Sequence, residues 1–289
     1  MVLNLDKDFK LFNNKEEIAF ESFIFSGGEP HIKIKSIINT SEVFVTQRIK
    51  SFNDFGLLLM AINALRNMNV NQIQLFVPYF PAARQDRKMV KGEPLSVKVY
   101  TDILNSFDLK SITIFDPHSD VVTALLNKCI TIDNHIFIKQ VLNNLPNDTI
   151  LISPDGGALK KIYKLAESIG NIDVVECSKK RNVNTGTLNS FIVYTENLNN
   201  QSCLIVDDIC DGGRTFIGLA EELKKKNAGK LYLAVSHGIF SNGTEDLLKY
   251  FDGIYCTDSF KSIEYNNINQ IKLHNINNFY ESTIINRWL

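Results

Sequence analysis

No stretch of this chain stays apolar for anything near the ~18 residues that span a bilayer, so no membrane partner is expected. A surplus of one charge is missing as well: 31 Lys and Arg stand against 32 Asp and Glu, a formal net charge of −1. Without a basic field to meet phosphates along a strand, no nucleic-acid partner is expected either. The five cysteines, Cys129, Cys177, Cys203, Cys210 and Cys256, are odd in number and form no C-x-x-C pair. They point to a reducing, cytoplasmic setting in which the thiols are ordinary core residues. The opening "MVLNLDKDFK" alternates charge and lacks the apolar centre of a secretory leader.

What is present is the material of a core. Hydrophobic residues make up 44% of 289, enough for about two domains. Short apolar runs alternate with amphipathic stretches of helical length. The runs are 43–47, 73–78, 111–115, 149–153, 172–177, 203–206 and 230–236. The helical patterns lie near 54–67, 95–107, 119–127, 136–145, 157–170, 214–227 and 243–251. This alternation predicts an α/β protein with mostly parallel sheets flanked by helices. It runs twice, with a seam near "IDNHIF" (132–137). In such sheets ligands gather beyond the carboxyl ends of the strands, and the unusual residues of this chain cluster there.

"CLIVDDICDGGRTF" (203–216) is the strongest of these clusters. A buried run leads into Asp207 and Asp208, then Asp211, Gly212, Gly213, Arg214 and Thr215, and a helix begins. A helix amino terminus with glycines before it suits a phosphate, and the Thr215 hydroxyl adds a donor. The two leading acids would repel a bare phosphate and suit sugar hydroxyls or a metal's outer sphere. One phosphate with vicinal hydroxyls describes a ribose 5-phosphate. Elsewhere, "PYFPAARQDRK" (78–88) offers Arg84, Gln85, Asp86 and Arg87, where a flat guanidinium can stack on a base and meet phosphates. "FDPHSD" (115–120) offers Asp116 and His118, a pair suited to a magnesium-nucleotide site.

The first of these stretches resembles the phosphoribosyl-diphosphate loop of type I phosphoribosyltransferases and ribose-phosphate diphosphokinases, departing from it at Gly212 and Arg214. "ARQD" resembles a motif of the diphosphokinase family that the transferases lack. Asp116 and His118 match that family's D-x-H, and Asp155 in "SPDGG" (153–157) matches its S-P-D turn. Lys179 and Arg181 in "CSKKRNVNTG" (177–186) match its catalytic K-x-R loop. Phe25 and Glu29 in "FSGGEPHIKI" (25–34) match its adenine segment, with Gly27 where Asp or Asn is usual.

The resemblance implies two tandem type I phosphoribosyltransferase-like domains. They would span 1–136, with 275–289 packing back on it, and 137–274, which carries the sugar-phosphate loop. It implies transfer of a diphosphoryl group from ATP to the C1 hydroxyl of ribose 5-phosphate, with Mg2+ as cofactor. Lys179, Arg181 and His118 would be catalytic, and Phe25, Glu29, Arg84, Gln85 and Asp86 would bind ATP. Asp207, Asp208 and 211–215 would bind ribose 5-phosphate; His118, Asp155 and Asp116 would stand on the metal side. It also implies a dimer-based homo-oligomer, up to a hexamer, with ATP sites shared between subunits. A plain phosphoribosyltransferase and a catalytically silent regulatory subunit are the alternatives. The family's phosphate and ADP regulatory site is expected to be weak, because Ile37, Ile38, Asn39 and Thr40, with Gly92 and Glu93, replace its serine and arginines.

Overall fold

The computed structural model describes residues 1–181, 188–264 and 267–276. Residues 182–187 of the K-x-R segment and 277–289 of the expected carboxyl-terminal return lie outside the described residues. The chain divides into two compact units. One takes Met1–Asp133, Ser259–Ser262 and the segment that starts at Leu273; the other takes Asn134–Asp258 and Ile263–Lys272.

The first unit begins with β1 (Val2–Asn4), the hairpin of β2 (Phe20–Ile24) and β3 (Pro30–Ile34), and β4 (Glu42–Thr46). Then come α1 (Phe52–Asn67), β5 (Gln72–Val77), α2 (Ser96–Asn105), β6 (Ser111–Phe115), α3 (Asp120–Leu125) and β7 (Cys129–Ile132). Its sheet is parallel throughout, in the order β1-β4-β5-β6-β7. Covered on both faces, such strands read as continuous apolar runs, and all five residues of "SITIF" are buried. α1 starts at a capping box. Ser51 Oγ accepts the Asp54 amide at 3.2 Å and Asp54 accepts the Ser51 amide at 2.8 Å. Its Phe55, Leu58, Ile62 and Leu65 fall on one face and are buried, each worth about 1.5–3 kcal/mol of transfer. Ser259–Ser262 joins this unit through a buried cation: Arg48 is 1% exposed, pairs with Asp6 at 2.8 Å and reaches Ser262 Oγ at 3.2 Å.

The second unit runs α4 (His135–Leu142), β8 (Ile150–Ser153), α5 (Leu159–Ser168), β9 (Val174–Arg181) and β10 (Leu188–Val193). It continues with β11 (Cys203–Cys210), α6 (Arg214–Lys225), β12 (Leu231–Gly238), β13 (Gly253–Thr257) and β14 (Asn269–Ile271). The sheet order is β10-β9-β8-β11-β12-β13-β14, parallel except for the β9–β10 hairpin.

Two details differ from the sequence reading. The helix expected over 243–251 is a single 3-10 turn, Leu247–Lys249. Gly243 before it is left-handed at φ 74°, and Asp252 after it accepts the Leu231 amide at 2.9 Å, so the segment is tied at both ends before a longer helix can form. The strand expected to stop at Val206 continues to Cys210. Its pairing with β8 ends at Ile205↔Ile152, whereas its pairing with β12 persists to Cys210↔Gly238. Beyond Ile205 one edge of β11 has no strand beside it among the described residues, and Asp207 and Asp208 lie on that stretch.

Candidate active site

In the second unit the loop between β11 and α6 is shaped by backbone close approach. Gly213, the N-cap of α6, adopts φ 78°, a left-handed conformation that glycine reaches without strain. A Cβ there would lie 3.2 Å from the Leu247 side chain. A Cβ on Gly212 would lie 2.9 Å from Asn242 Nδ2, and that amide donates to the Gly212 carbonyl at 3.4 Å. This explains one departure from the family pattern: Asn242 fills the space that a side chain at position 212 would take. The loop is further held by the Ser241 amide on the Asp211 carbonyl at 3.2 Å.

The first turn of α6 uses the amides of Phe216 and Ile217, both on the Gly213 carbonyl. Among the described residues the amides of Gly212, Arg214 and Thr215 find no acceptor, and the Thr215 hydroxyl has no partner. Arg214 is exposed and likewise makes no hydrogen bond or ion pair among the described residues. Three unused amides, a hydroxyl and the positive end of a helix dipole form a cradle for an anion.

Just upstream the charge is reversed. Asp207 Oδ1 accepts the Asp208 amide at 2.9 Å, and Asp208 Oδ1 accepts the Ile209 amide at 3.0 Å. Burial, and after it the neighbouring Asp208 charge, push the Asp207 carboxyl well above its ordinary value. Asp155, which follows β8, adds to that push. Asp155 itself has cations and amides to answer it. Its Oδ1 accepts the amides of Gly157 at 3.0 Å and Ala158 at 3.1 Å, and its Oδ2 accepts Lys179 Nζ at 2.6 Å. Burial pushes this carboxyl up, but Lys179 and the two amides outweigh it and hold it below the usual carboxylate range. The fold thus brings together two predicted residues from adjacent strands, since β8 pairs with β9 and Lys179 lies three residues past the Ser153↔Glu176 pair. Arg181 ends β9, its backbone paired with Leu188.

In the first unit the ARQD turn follows β5. Ala82 stands at φ 56°, and the Gln85 amide closes on the Ala82 carbonyl at 2.8 Å. Arg84 and Gln85 are exposed, as a ligand contact requires; Asp86 is 8% exposed and faces inward. It accepts Arg87 Nε at 3.3 Å. Burial raises its pKa, but Ser119 and Arg87 as donors, with the charges of Arg87 and His118, bring it below normal. Asp116 is buried, left-handed at φ 38°, and donates its amide to the Ile132 carbonyl at 2.7 Å. His118 is half-buried, and Ser119 after it caps α3. Ser119, Asn242 and Leu247 are parts of these loops that the sequence reading passed over; only Ser119, a cap type before a helix pattern, carried any signal.

The hairpin of β2 and β3 presents Phe25, 52% exposed, with its ring 4.8 Å from Phe23 and 5.5 Å from His31. Its turn closes through the Phe25 amide on the Glu29 carbonyl at 2.9 Å. The Glu29 carboxylate lies where a side chain at Gly27 would begin, 2.6 Å from an added Cβ. Among the described residues, no three His, Cys, Asp or Glu side chains gather closely enough to hold a metal ion by themselves. No helix among the described residues is long and apolar enough to cross a membrane.

A mostly parallel sheet in which β11 carries two acids into a glycine turn and a helix with unused amides defines the phosphoribosyltransferase class. Residues 122–268 match the family described as the phosphoribosyl transferase domain, and residues 14–107 match the N-terminal domain of ribose phosphate pyrophosphokinase. The chain belongs to the ribose-phosphate pyrophosphokinase family, the diphosphokinases of the sequence reading. It is 28% identical over 275 residues to the ribose-phosphate pyrophosphokinase of Mycoplasma genitalium, covering 90% of this chain and 81% of that one. It is 30% identical to that of Mycoplasmopsis pulmonis, covering 83% and 76% respectively. The fold matches the crystal structure of phosphoribosylpyrophosphate synthetase from Mycobacterium smegmatis with a TM-score of 0.83, over 99% of both chains at 19% identity.

Proposed function

We propose that this chain transfers the β,γ-diphosphoryl group of ATP to ribose 5-phosphate, giving phosphoribosyl diphosphate and AMP. The C1 hydroxyl attacks the β-phosphorus; the bond from C1 oxygen to β-phosphorus forms, the bond from α-bridging oxygen to β-phosphorus breaks, and AMP leaves with that electron pair. The hydroxyl proton is lost on the way. Such transfers are accelerated by positioning and by charge placed where it develops. The observation that carries this reading is the set of unused amides at Gly212, Arg214 and Thr215 next to the crowded acids Asp207 and Asp208. The amides and Thr215 take the 5-phosphate, and the acids take the ribose hydroxyls, whose donated hydrogen bonds relieve the repulsion between the carboxylates.

Arg84 and Gln85 take the nucleotide, with Phe25 and Glu29 serving the ATP of a neighbouring subunit in a dimer-based homo-oligomer; the exposed aromatic hairpin tip supports that role. Lys179 and Arg181 meet charge on the transferred group. Mg2+ fits this donor set, since it is commonly held by one or two side chains and substrate phosphates and needs no protein cage. Asp116, His118 and Asp155 would hold it; when bound it would neutralise charge on the phosphate oxygens. The purified chain should form AMP from ATP only when ribose 5-phosphate is present. ATP-independent consumption of phosphoribosyl diphosphate with a nucleobase would instead mark a phosphoribosyltransferase. Absence of both activities from the well-folded chain would mark a silent subunit.

A further inference from the structure

Asn242 stands four residues past β12, in a loop whose backbone is fastened to the end of β11. The amides of Ile239 and Phe240 both donate to the Cys210 carbonyl, at 2.9 and 3.1 Å, and the Ser241 amide donates to that of Asp211 at 3.2 Å. Phe240 is left-handed at φ 46° and buried. Gly243, at φ 74°, turns the chain back, with its amide on the Phe240 carbonyl at 3.2 Å. Left-handed backbone at a bulky residue persists only where its surroundings over-determine it. Asn242 is thus presented by a braced loop, although the residue itself is exposed.

One donor of this side chain is unused. A primary amide nitrogen carries two N–H groups. One donates to the Gly212 carbonyl at 3.4 Å, and the other finds no acceptor among the described residues. Turning the amide over would set its oxygen against that carbonyl oxygen, so the nitrogen is the end that faces the loop. It lies 2.9 Å from the place a Cβ on Gly212 would take. Cβ and backbone nitrogen hang from the same Cα, so Asn242 Nδ2 stands beside the unused amide of Gly212. Gly212, unlike Gly213, is not left-handed. After Asn242, the next neighbour of an added Cβ is Ser241 Oγ at 3.8 Å, an ordinary contact. The backbone therefore admits a side chain at position 212, and Asn242 is what excludes it.

We propose that Asn242 is a binding residue for the sugar phosphate. Its amide adds a neutral donor to the backbone amides of Gly212, Arg214 and Thr215, and closes the cradle on the side that the loop after β12 provides. A donor that residue 212 could have carried is supplied instead from across the turn. This rests on the reading of the cradle as the 5-phosphate site made above.

Titration calorimetry with ribose 5-phosphate and initial rates of AMP formation test this on the full chain. The variants are Asn242→Ala, Asn242→Asp, Asn242→Ala/Gly212→Ser and Asn242→Ala/Gly212→Ala. Asn242→Ala should weaken ribose 5-phosphate binding about tenfold, the low end for a hydrogen bond to a charged group, because the site is open to water; the KM for ATP should not change. Asn242→Asp keeps the shape but sets a carboxylate against the phosphate, and should weaken binding at least as far. Adding Gly212→Ser to Asn242→Ala should bring affinity back to within about threefold of the parent by returning a hydroxyl donor to the vacated space. Adding Gly212→Ala, which refills the space without a donor, should not. Parental affinity in Asn242→Ala would overturn the proposal. Equal recovery with Gly212→Ala would overturn it too, by showing that Asn242 only packs against the loop. A parent chain that binds ribose 5-phosphate but forms no AMP from ATP would sink the functional reading, while the affinities still decide Asn242. A parent that binds no ribose 5-phosphate would sink both.

Discussion

Asp86 in the first unit and Asp207 in the second are both acids at the carboxyl end of a parallel strand, and their surroundings treat them oppositely. Asp86 is buried and paired with the Arg87 guanidinium, and Ser119 and Arg87 hold its carboxyl below the ordinary range despite burial. Asp207 is pushed well above that range by burial and by Asp208 beside it, with Asp155 adding to the push. One acid has a cationic counter-group supplied by the chain, and the other has one backbone amide against the like charges of Asp208 and Asp155. A site that completes itself positions neighbouring parts, whereas one left electrostatically short is ready to bind. Asp155 stands between the two cases, because Lys179 answers it at 2.6 Å from a strand that leads into the K-x-R segment.

The most severe way to break this contrast is to remove Lys179. Lys179→Ala should cut kcat by ~10²–10³, the usual loss for one preorganised charge at a reacting group, with the KM for ribose 5-phosphate nearly unchanged. A rate within a few-fold of the parent, measured as AMP release, would take Lys179 out of the reaction.

Asp207→Asn separates binding from stability. It should raise the KM for ribose 5-phosphate by about tenfold to a hundredfold, the range for hydrogen bonds to a charged group. The ligand-free protein should melt higher, by about 2–4 °C if relief of the repulsion is near 1 kcal/mol. Calorimetry and initial rates on one preparation check both halves, and a lower melting temperature would contradict the electrostatic contrast.

The same contrast has a pH signature. Asp207 has a folded pKa above its ordinary 3.8, so its favourable contribution is complete below 3.8 and is lost as pH rises through the folded value. Asp86 and Asp155 have folded values below 3.8, so their contribution is present above 3.8 and is lost as pH falls through those folded values. Between neutrality and about pH 4, acidification should therefore narrow the melting gap between Asp207→Asn and the parent. Below that, both should lose stability together. A gap that stays constant over the upper interval would show that Asp207 does not titrate there.

Two smaller effects sharpen the picture of the anion sites. Arg214→Ala should raise the KM for ribose 5-phosphate only about threefold, because an exposed charge contributes less than a buried one, and kcat should hold. Varying inorganic phosphate at fixed magnesium should change the rate by less than roughly twofold. The Glu93 carboxylate already accepts the amides of Met89 at 2.8 Å and Val90 at 3.2 Å, so that loop holds an anion of its own, with charge-assisted bonds that a free phosphate would have to displace. Sigmoidal activation by phosphate would reveal a regulatory site elsewhere.

Much of this was legible in the chain itself. Buried parallel strands are continuous apolar runs, so β5, β6, β8, β11 and β12 announce themselves. Short or edge strands do not: β10, "LNSFIV", has its apolar run broken by Asn189 and Ser190, and β14 is three residues of "NQI". The end of β11 was misplaced because two aspartates read as a loop. They are tolerated in the strand because each carboxylate accepts the next residue's amide and because β8 has already ended beside them.

By itself the sequence determined the local chemistry: which strands are buried, where the glycine turn meets a helix, and which acids and cations flank it. Those properties depend on neighbours a few positions apart, and periodicity and turn geometry encode them. Tertiary structure alone decided that Asn242 fills the space above Gly212, that Lys179 answers Asp155, and that Asp86 faces inward and not to solvent. The first two join residues 30 and 24 positions apart. Hydrogen bonds and charge at about 3 Å depend on where whole strands and loops come to rest, and no spacing along a single chain specifies that.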